Sequence, residues 1–121
     1  MTHARSVFFI SDRTGVTAET LGHSLLTQFP IQCTTVSLPF TETPEAVDAA
    51  IRRIEAAGVQ SGERPIVFST IIDAALRDRL RGINAVVLDF FDTFIAPLER
   101  ELDMKSSHTI GQSHGIADPS A

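Results

Sequence analysis

The sequence contains one cysteine and no long apolar run, and both absences restrict what the protein can be. With Cys33 alone, an intrachain disulfide is impossible and a metal site built from several cysteines is excluded, which fits a reducing cytoplasm. The first apolar stretch, Val7 to Ile10, is closed by Ser11. A signal peptide needs a longer apolar region, and a membrane helix needs about 20 apolar residues. We therefore expect a cytoplasmic protein that does not associate with membranes.

Basic residues are also few, and they are scattered along the chain. The formal net charge is -5, and Lys105 is the only lysine among the basic residues. Proteins that bind nucleic acids present clustered basic faces to the phosphates, so we expect no nucleic-acid partner. A single lysine also leaves few options for phosphate chemistry that depends on this residue type.

The chain opens with a strand, a short loop and a helix. The run from Val7 to Ile10 is continuously apolar, which is typical of a strand buried on both faces of a sheet. After a polar loop, apolar residues recur at helical spacing until Pro30 ends the pattern. The apolar positions of this helix are Ala18, Leu21, Leu25 and Phe29.

The same unit then repeats along the chain. Thr43 and Pro44 form the cap and first turn of a second helix that we expect to end at Gly58, and Asp73 caps a third helix that runs to about Gly82. Further strands are predicted over 31–38, 65–69 and 84–89, and a last helix is indicated by Phe94, Leu98 and Leu102.

This alternation predicts an α/β fold with an open, mostly parallel sheet of about four strands and crossover helices, of the Rossmann or flavodoxin-like kind. A chain of 121 residues can bury one ordinary core, and we assign it to residues 1–104. Residues 105–121 are rich in Ser, His and Gly, show no periodicity, and are interpreted as an irregular tail or linker.

The loop from Ser11 to Thr17 is the strongest candidate for a binding site. Ligands of open parallel sheets bind beyond the carboxyl ends of the strands, and this loop combines Ser11, Asp12, Thr14, Gly15 and Thr17 where a helix begins. Free backbone N–H groups at a helix start favour an anion. The simpler alternative is that Asp12 or Thr14 caps the helix and Gly15 makes the turn. The G-x-G-x-x-G pattern of dinucleotide sites does not occur in this loop.

Several carboxylates also follow strands, with Asp12 in the first loop, Asp73 after Ser69-Thr70, and Asp89 and Asp92 after the fourth strand. If they converge, they can hold Mg²⁺, which prefers oxygen ligands and shares them with phosphates. Helix capping and solvation explain the same residues more simply, because Asp is common at helix starts. We therefore assign no residue as a metal ligand.

The tail carries two Ser-His pairs, Ser107-His108 and Ser113-His114, on either side of Gly111. His108 and His114 are candidates for acid and base, although a polar, glycine-bearing tail is more often a linker. Cys33 is expected in the core, and Phe90, Phe91 and Phe94 are interpreted as packing residues.

Three blocks of sequence resemble the phosphoenolpyruvate synthase regulatory proteins. They follow one another in the order expected for that family and extend over nearly the whole chain. The blocks are Val7 to Asp12 with Thr14 to Phe29, Pro65 to Thr70 with Phe91 to Ile95 and Pro97 to Glu99, and Lys105 to Thr109 with Gly111 and Ser113 to Ile116.

The resemblance implies a regulator with two opposed activities on one partner, phosphoenolpyruvate synthase. One activity is ADP-dependent phosphorylation of a threonine, which inactivates the synthase, and the other is phosphate-dependent removal of that group with release of pyrophosphate. ADP and inorganic phosphate are then the substrates, Mg²⁺ is an optional ion, and a homodimer is an option. The candidates for binding phosphate or nucleotide are Ser11, Asp12, Thr14, Gly15, Thr17, Ser107, Gly111 and Ser113.

The sequence departs from the family pattern in three respects. Arg13 stands where the resemblance leads us to expect a small residue, and Gln112 stands where it implies Arg. Family members also carry a glycine-rich G-x-x-x-x-G-K-[ST] loop that cradles phosphates, whereas the only lysine here, Lys105, follows Met104. We therefore expect this chain alone to be inactive. The alternatives are a non-catalytic α/β module that binds the synthase or a phosphate ligand, and a domain without either function.

Overall fold

A computed structural model of the chain describes residues 4–107. Strands and helices alternate, and the fourth strand is followed by one π-helical turn. In chain order the elements are β1 (Arg5–Ile10), α1 (Val16–Leu26), β2 (Cys33–Leu38), α2 (Pro44–Ser61), β3 (Ile66–Ser69), α3 (Ala74–Leu80), β4 (Val86–Asp89), the π-helical turn (Phe91–Ile95) and α4 (Ala96–Leu102).

The four strands form one parallel sheet in the order β2-β1-β3-β4. Phe8 in β1 lies opposite Val36 on one side and opposite Val67 on the other. The chain places β2 on one side of β1 and then crosses over to place β3 on the other, so the order reverses between β1 and β3. The predicted α/β fold with an open parallel sheet is therefore confirmed, and β2 and β4 are its edges.

Alternate residues of the central strand supply the cores on the two faces of the sheet. Phe8 and Ile10 pack with Val47 and Ile54 of α2, on the face that α3 also covers. Val7 and Phe9 pack on the opposite face with α1. Residues 7–10 are all 3% exposed or less, which explains why the first strand shows no polar alternation.

Two predicted helix starts are confirmed, and each has a side-chain cap. The hydroxyl of Thr43 accepts a hydrogen bond from the N–H of Ala46 at 3.1 Å, with Pro44 in the first turn of α2. The carboxylate of Asp73 accepts one from the N–H of Leu76, also at 3.1 Å.

Two predicted helix ends are wrong. Helix α2 continues past Gly58 to Ser61 and ends at Gly62, whose N–H donates to the Gly58 carbonyl at 2.9 Å. Helix α1 ends at Leu26, and Phe29 lies beyond it with 61% of its surface exposed. The N–H groups of Gln28 and Phe29 bond back three residues, which tightens the chain into turns before Pro30.

The last predicted helix begins earlier than its apolar pattern indicates. It opens with the π-helical turn after Phe90, which continues directly into α4 with Pro97 near the start of that helix. Phe90 is buried as predicted, whereas Phe94 is 46% exposed and touches Phe90 edge to face. Cys33 is half-buried against the α1 face of the sheet.

Helix α1 approaches the sheet closely at Gly22. A Cβ built on Gly22 would lie 2.4 Å from Cε1 of Phe9 and 3.0 Å from Cδ2 of Phe68. Both rings are buried, and they stack on each other with centroids 5.7 Å apart. Neither ring has room to retreat, so the absence of a side chain at residue 22 sets the distance between helix and sheet.

We expect Gly22→Ala to destabilise the protein even though alanine is the better helix former. Helix propensity alone favours alanine by about 1 kcal/mol, but the methyl group must displace Phe9 or lift α1, which costs about 1–3 kcal/mol. Urea denaturation measures the difference. Thr20→Ala, at an exposed position of the same helix, is the control and should change stability little. A Gly22→Ala protein more stable than the wild type would contradict this packing.

Candidate functional site

A small polar cleft lies at the point where the strand order reverses. It has a volume of about 160 Å³ and lies at the carboxyl ends of β1 and β3, the usual position of ligands in open parallel sheets. Most of the residues predicted from the first loop meet here. The lining residues are Ser11, Arg13, Thr14, Gly15, Val16, Thr17 and Thr70.

Backbone hydrogen bonds from both sides fix the β1–α1 loop. The N–H of Thr41 donates to the Ser11 carbonyl at 2.8 Å, and the N–H of Phe40 donates to the Arg13 carbonyl at the same distance. On the other side, the N–H of Thr70 donates to the Ile10 carbonyl at 3.0 Å. The loop is thus held in one conformation before any ligand binds, which lowers the entropy cost of binding.

Helix α1 begins at the cleft without a side-chain cap. Gly15 is the N-cap residue and has φ 87°, a left-handed conformation that is costly for residues with a Cβ. The Thr14 hydroxyl accepts a long hydrogen bond of 3.4 Å from the N–H of Val16, and the N-cap residue Gly15 has no side chain that could cap the helix. Asp12 therefore does not cap α1, Thr14 engages only the first N–H of the helix, and the predicted turn at Gly15 is confirmed. The other first-turn N–H groups are left for water or an anion.

Asp12 connects two loops and does not line the cleft. Its Oδ2 accepts a hydrogen bond from the N–H of Ile72 at 3.3 Å, so it joins the β1–α1 loop to the β3–α3 loop. This contact spans 60 positions of sequence and holds the two walls of the cleft at a fixed separation. Asp12 therefore has a structural role that the sequence did not indicate.

The charges around the cleft are mixed. Arg13 is exposed and lines the cleft, where its guanidinium is available to an anion. Glu19, in the first turn of α1, lies close to Gly15 and accepts a hydrogen bond from the Ser37 hydroxyl. The lining residues include no histidine and no carboxylate. The cleft can hold an oxyanion, but none of its side chains is suited to act as a general base.

The predicted carboxylates do not converge on one ion. Asp12 bonds to Ile72 and Asp73 caps α3, while Asp89 and Asp92 lie at the end of β4. Within residues 4–107 there is no group of three or more His, Cys, Asp or Glu side chains placed to bind a metal.

Asp89 and Asp92 instead contact two arginines, Arg77 within α3 and Arg81 directly after it. Nη1 of Arg77 is 3.6 Å from Asp89 and 3.1 Å from Asp92, and Nη2 of Arg81 is 2.9 Å from Asp92. Sequence reasoning missed both arginines. No local pattern reveals them, because they lie 15 and 11 positions before Asp92 and only the fold brings them together.

Burial raises the pKa of Asp89 above its ordinary value, and the neighbouring charge of Asp92 adds to that increase. The hydrogen bond from the Phe91 N–H and the positive charge of Arg77 act in the opposite direction. Because the pKa is raised in the folded state, Asp89 by itself makes stability fall as pH rises from the unfolded pKa to the folded one.

Most of the predicted tail candidates lie outside the described residues: His108, Gly111, Ser113 and His114, as does Gln112, the departure from the family pattern. Ser107 is described and exposed, and it does not line the cleft. Just before it, the N–H of Ser106 donates to the Glu99 carboxylate at 2.8 Å, which ties the start of the tail to α4. No helix within residues 4–107 combines the length and apolarity needed to cross a bilayer.

Comparison with known proteins gives a family match over almost the whole chain. The model of the kinase/pyrophosphorylase family matches residues 7–120. A protein of Halorhodospira halophila is 59% identical over 121 residues, covering 99% of this chain and 44% of the relative. One of Alkalilimnicola ehrlichii is 58% identical, covering 98% and 43%. Both carry the name phosphoenolpyruvate synthase regulatory protein. The chain thus spans less than half the length of these relatives.

The position of Asp89 predicts an abnormal titration. We expect the Asp89 carboxyl carbon, followed by NMR against pH, to titrate above the ordinary midpoint near ~3.9 because its charged form is desolvated. Arg77→Gln should raise the midpoint further, because it removes a positive charge that favours the carboxylate. Arg77→Lys keeps that charge and should raise it less. A wild-type midpoint at or below the ordinary value would show that the carboxylate is not desolvated as described.

Proposed function

We propose that this chain, which belongs to the kinase/pyrophosphorylase family, is the N-terminal portion of a regulator of phosphoenolpyruvate synthase. In this proposal the whole protein transfers the terminal phosphoryl group of ADP to a threonine of the synthase, leaving AMP, and removes that group with inorganic phosphate, releasing pyrophosphate. The observation that carries the proposal is the family match over residues 7–120, together with relatives near 59% identity that are named for this role.

The contribution of this chain is an anion site at the start of α1. Ser11, Thr14 and Thr17 supply hydroxyls, and the uncapped helix start after Gly15 supplies backbone donors. A cleft of about 160 Å³ suits a phosphate group and is too small for a whole nucleotide. We propose that it binds inorganic phosphate or one phosphoryl group of ADP, with Arg13 as an additional positive charge at the mouth.

Asp12 is better suited to positioning than to catalysis. Because its Oδ2 already accepts the Ile72 N–H, the carboxylate is engaged in holding the cleft together. His108 and His114 then remain the candidates for acid and base, with Ser107, Gly111 and Ser113 as further phosphate contacts. These tail residues enter the proposal through the sequence pattern alone.

The phosphoryl-transfer step itself needs more than the described cleft. Charge on the transferred group is stabilised by backbone donors and a lysine in loops of the G-x-x-x-x-G-K-[ST] type, and the 121 residues contain no such motif. We propose that this machinery lies in the part of the relatives that the chain does not span. The chain then acts as one lobe of a cytoplasmic enzyme and also contacts the synthase, and a homodimer is compatible with this role.

A non-catalytic binding module is the second candidate. It is favoured by one observation: the cleft is preformed by backbone bonds, yet its lining includes no group that can act as a base. Such a module would bind phosphate or the synthase without changing either.

Incubation of the purified chain with ADP and active phosphoenolpyruvate synthase separates the two candidates. We expect no threonine phosphorylation by mass spectrometry, whereas the full-length relative from Halorhodospira halophila should phosphorylate the synthase under the same conditions. Modification by the short chain would refute the proposal that a separate phosphate loop is required. If the relative also leaves the synthase unmodified, the proposed kinase activity is wrong, and binding of the chain to the synthase would then favour the module.

The proposed phosphate site is tested by removing one hydroxyl. Thr17→Val keeps the shape of the side chain but loses a donor in the cleft, so we expect binding of inorganic phosphate to weaken by about 3-fold or more. An NMR titration that follows the amides of Gly15 to Thr17 gives the affinity. Thr20→Val makes the same change at an exposed position of α1 outside the cleft lining and should leave it unchanged. Equal weakening by both variants would argue against the site.

A further inference from the structure

A second, larger cavity lies along the edge of the sheet, between β4 and α3. Its volume is about 450 Å³, and neither of the proposed functions uses it. Its charged lining residues are three arginines and two aspartates: Arg64, Arg77, Arg81, Asp89 and Asp92. None of these residues lines the cleft at the start of α1, so the two cavities are separate sites.

Arg77 is the most confined of these arginines. Its side chain is only 10% exposed, and its guanidinium carbon lies 4.2 Å from the centre of the Phe91 ring, within the range of a cation–π contact. Nη1 is shared between Asp89 and Asp92, while Nε is buried and has no hydrogen-bond partner within the described structure. A buried charged group with an unused donor is costly, and such groups are usually satisfied by water or a ligand.

Asp92 holds the two arginines together with both of its oxygens. Oδ1 accepts from Arg77 at 3.1 Å and Oδ2 accepts from Arg81 at 2.9 Å, so one carboxylate bridges two guanidinium groups. Yet Asp92 is 49% exposed and lies in the π-helical turn, a local geometry that recurs at functional sites. The carboxylate between the two arginines is therefore accessible to solvent, whereas the Arg77 guanidinium is buried.

An exposed ion pair between Arg79 of α3 and Asp48 of α2 shows the contrast. Arg79 bonds to both carboxylate oxygens of Asp48, and both side chains are almost half exposed. Neither residue lines a described cavity beside α3. That pair has the features of an ordinary surface salt bridge, which contributes little to stability. The Arg77 pair differs in its burial, its stacking on Phe91 and its unused donor.

We propose that Arg77 and Arg81 form a binding site for a phosphate-type oxyanion, and that the Asp92 carboxylate occupies this site when the anion is absent. A phosphate dianion offers more charge than a carboxylate and a third oxygen that can accept from Nε of Arg77. Guanidinium groups are well matched to such paired contacts. On binding, Asp92 moves outward to solvent with its helical turn. The site therefore has a built-in competitor, and its affinity is set by how readily Asp92 leaves.

Removing the competitor tests this arrangement on the 121-residue chain. Asp92→Asn keeps the shape of the side chain but releases the arginines, so we expect inorganic phosphate to bind about 5-fold more tightly or better than to the wild type. NMR of the arginine Nε–H groups should show the Arg77 signal shifting during the titration. Adding Arg81→Gln to Asp92→Asn should abolish the increase in phosphate affinity. The Arg81 side chain is exposed enough for this change to leave the fold intact.

Asp48→Asn is the matched control, because it removes the same charge from the partner of another α3 arginine, Arg79. It should leave phosphate affinity unchanged. An equal gain in both variants would overturn the proposal by showing that only net charge matters. No gain in Asp92→Asn would also overturn it. Phosphate-dependent shifts confined to the amides of Gly15 to Thr17, with Arg77 unmoved, would place the anion in the other cleft and refute this site alone.

The same titration with ADP distinguishes the source of the oxyanion. The cavity is large enough for more than a phosphate group, so a phosphoryl group of a nucleotide also fits. If Asp92→Asn binds ADP more tightly than inorganic phosphate, and Arg81→Gln removes that binding, the site takes the phosphoryl end of a larger molecule. If the Asp92→Asn substitution strengthens the binding of inorganic phosphate but not of ADP, the site binds the free ion. Both results support the site, and an Arg77 signal unmoved by either ligand contradicts it.

Discussion

The central strand β1 is the element on which the rest of the structure depends. It is hydrogen-bonded to β2 on one side and to β3 on the other, and residues 7–10 are almost completely buried. A strand in this position can expose neither face, so both faces must be covered by helices. The two cores follow from alternate side chains of one segment, and the close approach of α1 at Gly22 is made against Phe9 of the same strand.

The position of the cleft follows from the same strand. Because β2 and β3 lie on opposite sides of β1, the loops that leave β1 and β3 diverge and leave a gap between them. Backbone bonds from Phe40, Thr41 and Thr70 then fix the β1–α1 loop around that gap. The cleft is a product of topology, and the side chains of Ser11 to Thr17 only decide what it can bind. Such a site is preformed, in keeping with a role in binding a small, highly charged ligand.

The sequence predicts structural features that depend on neighbouring residues. It does not predict features that depend on contacts between residues far apart in the chain. The buried strand 7–10, the caps at Thr43 and Asp73, and the turn at Gly15 are all local signals, and the structure has each of them. Gly58 illustrates the limit, because a glycine that fits a helix end locally is retained within α2. The role of Asp12 was not predictable either, since its partner Ile72 is brought to it only by the pairing of β1 with β3.

The bond between Asp12 and Ile72 has a consequence for how the two proposed sites communicate. Ile72 directly precedes Asp73, the cap of α3, and α3 carries Arg77. A ligand that shifts the β1–α1 loop would therefore strain the start of the helix that presents the buried guanidinium. Thermodynamic linkage is reciprocal, so any such coupling must act with equal strength in both directions. The Asp12–Ile72 hydrogen bond is a direct contact between the loop that lines one cavity and the turn before the helix that lines the other, so any such coupling can pass through it.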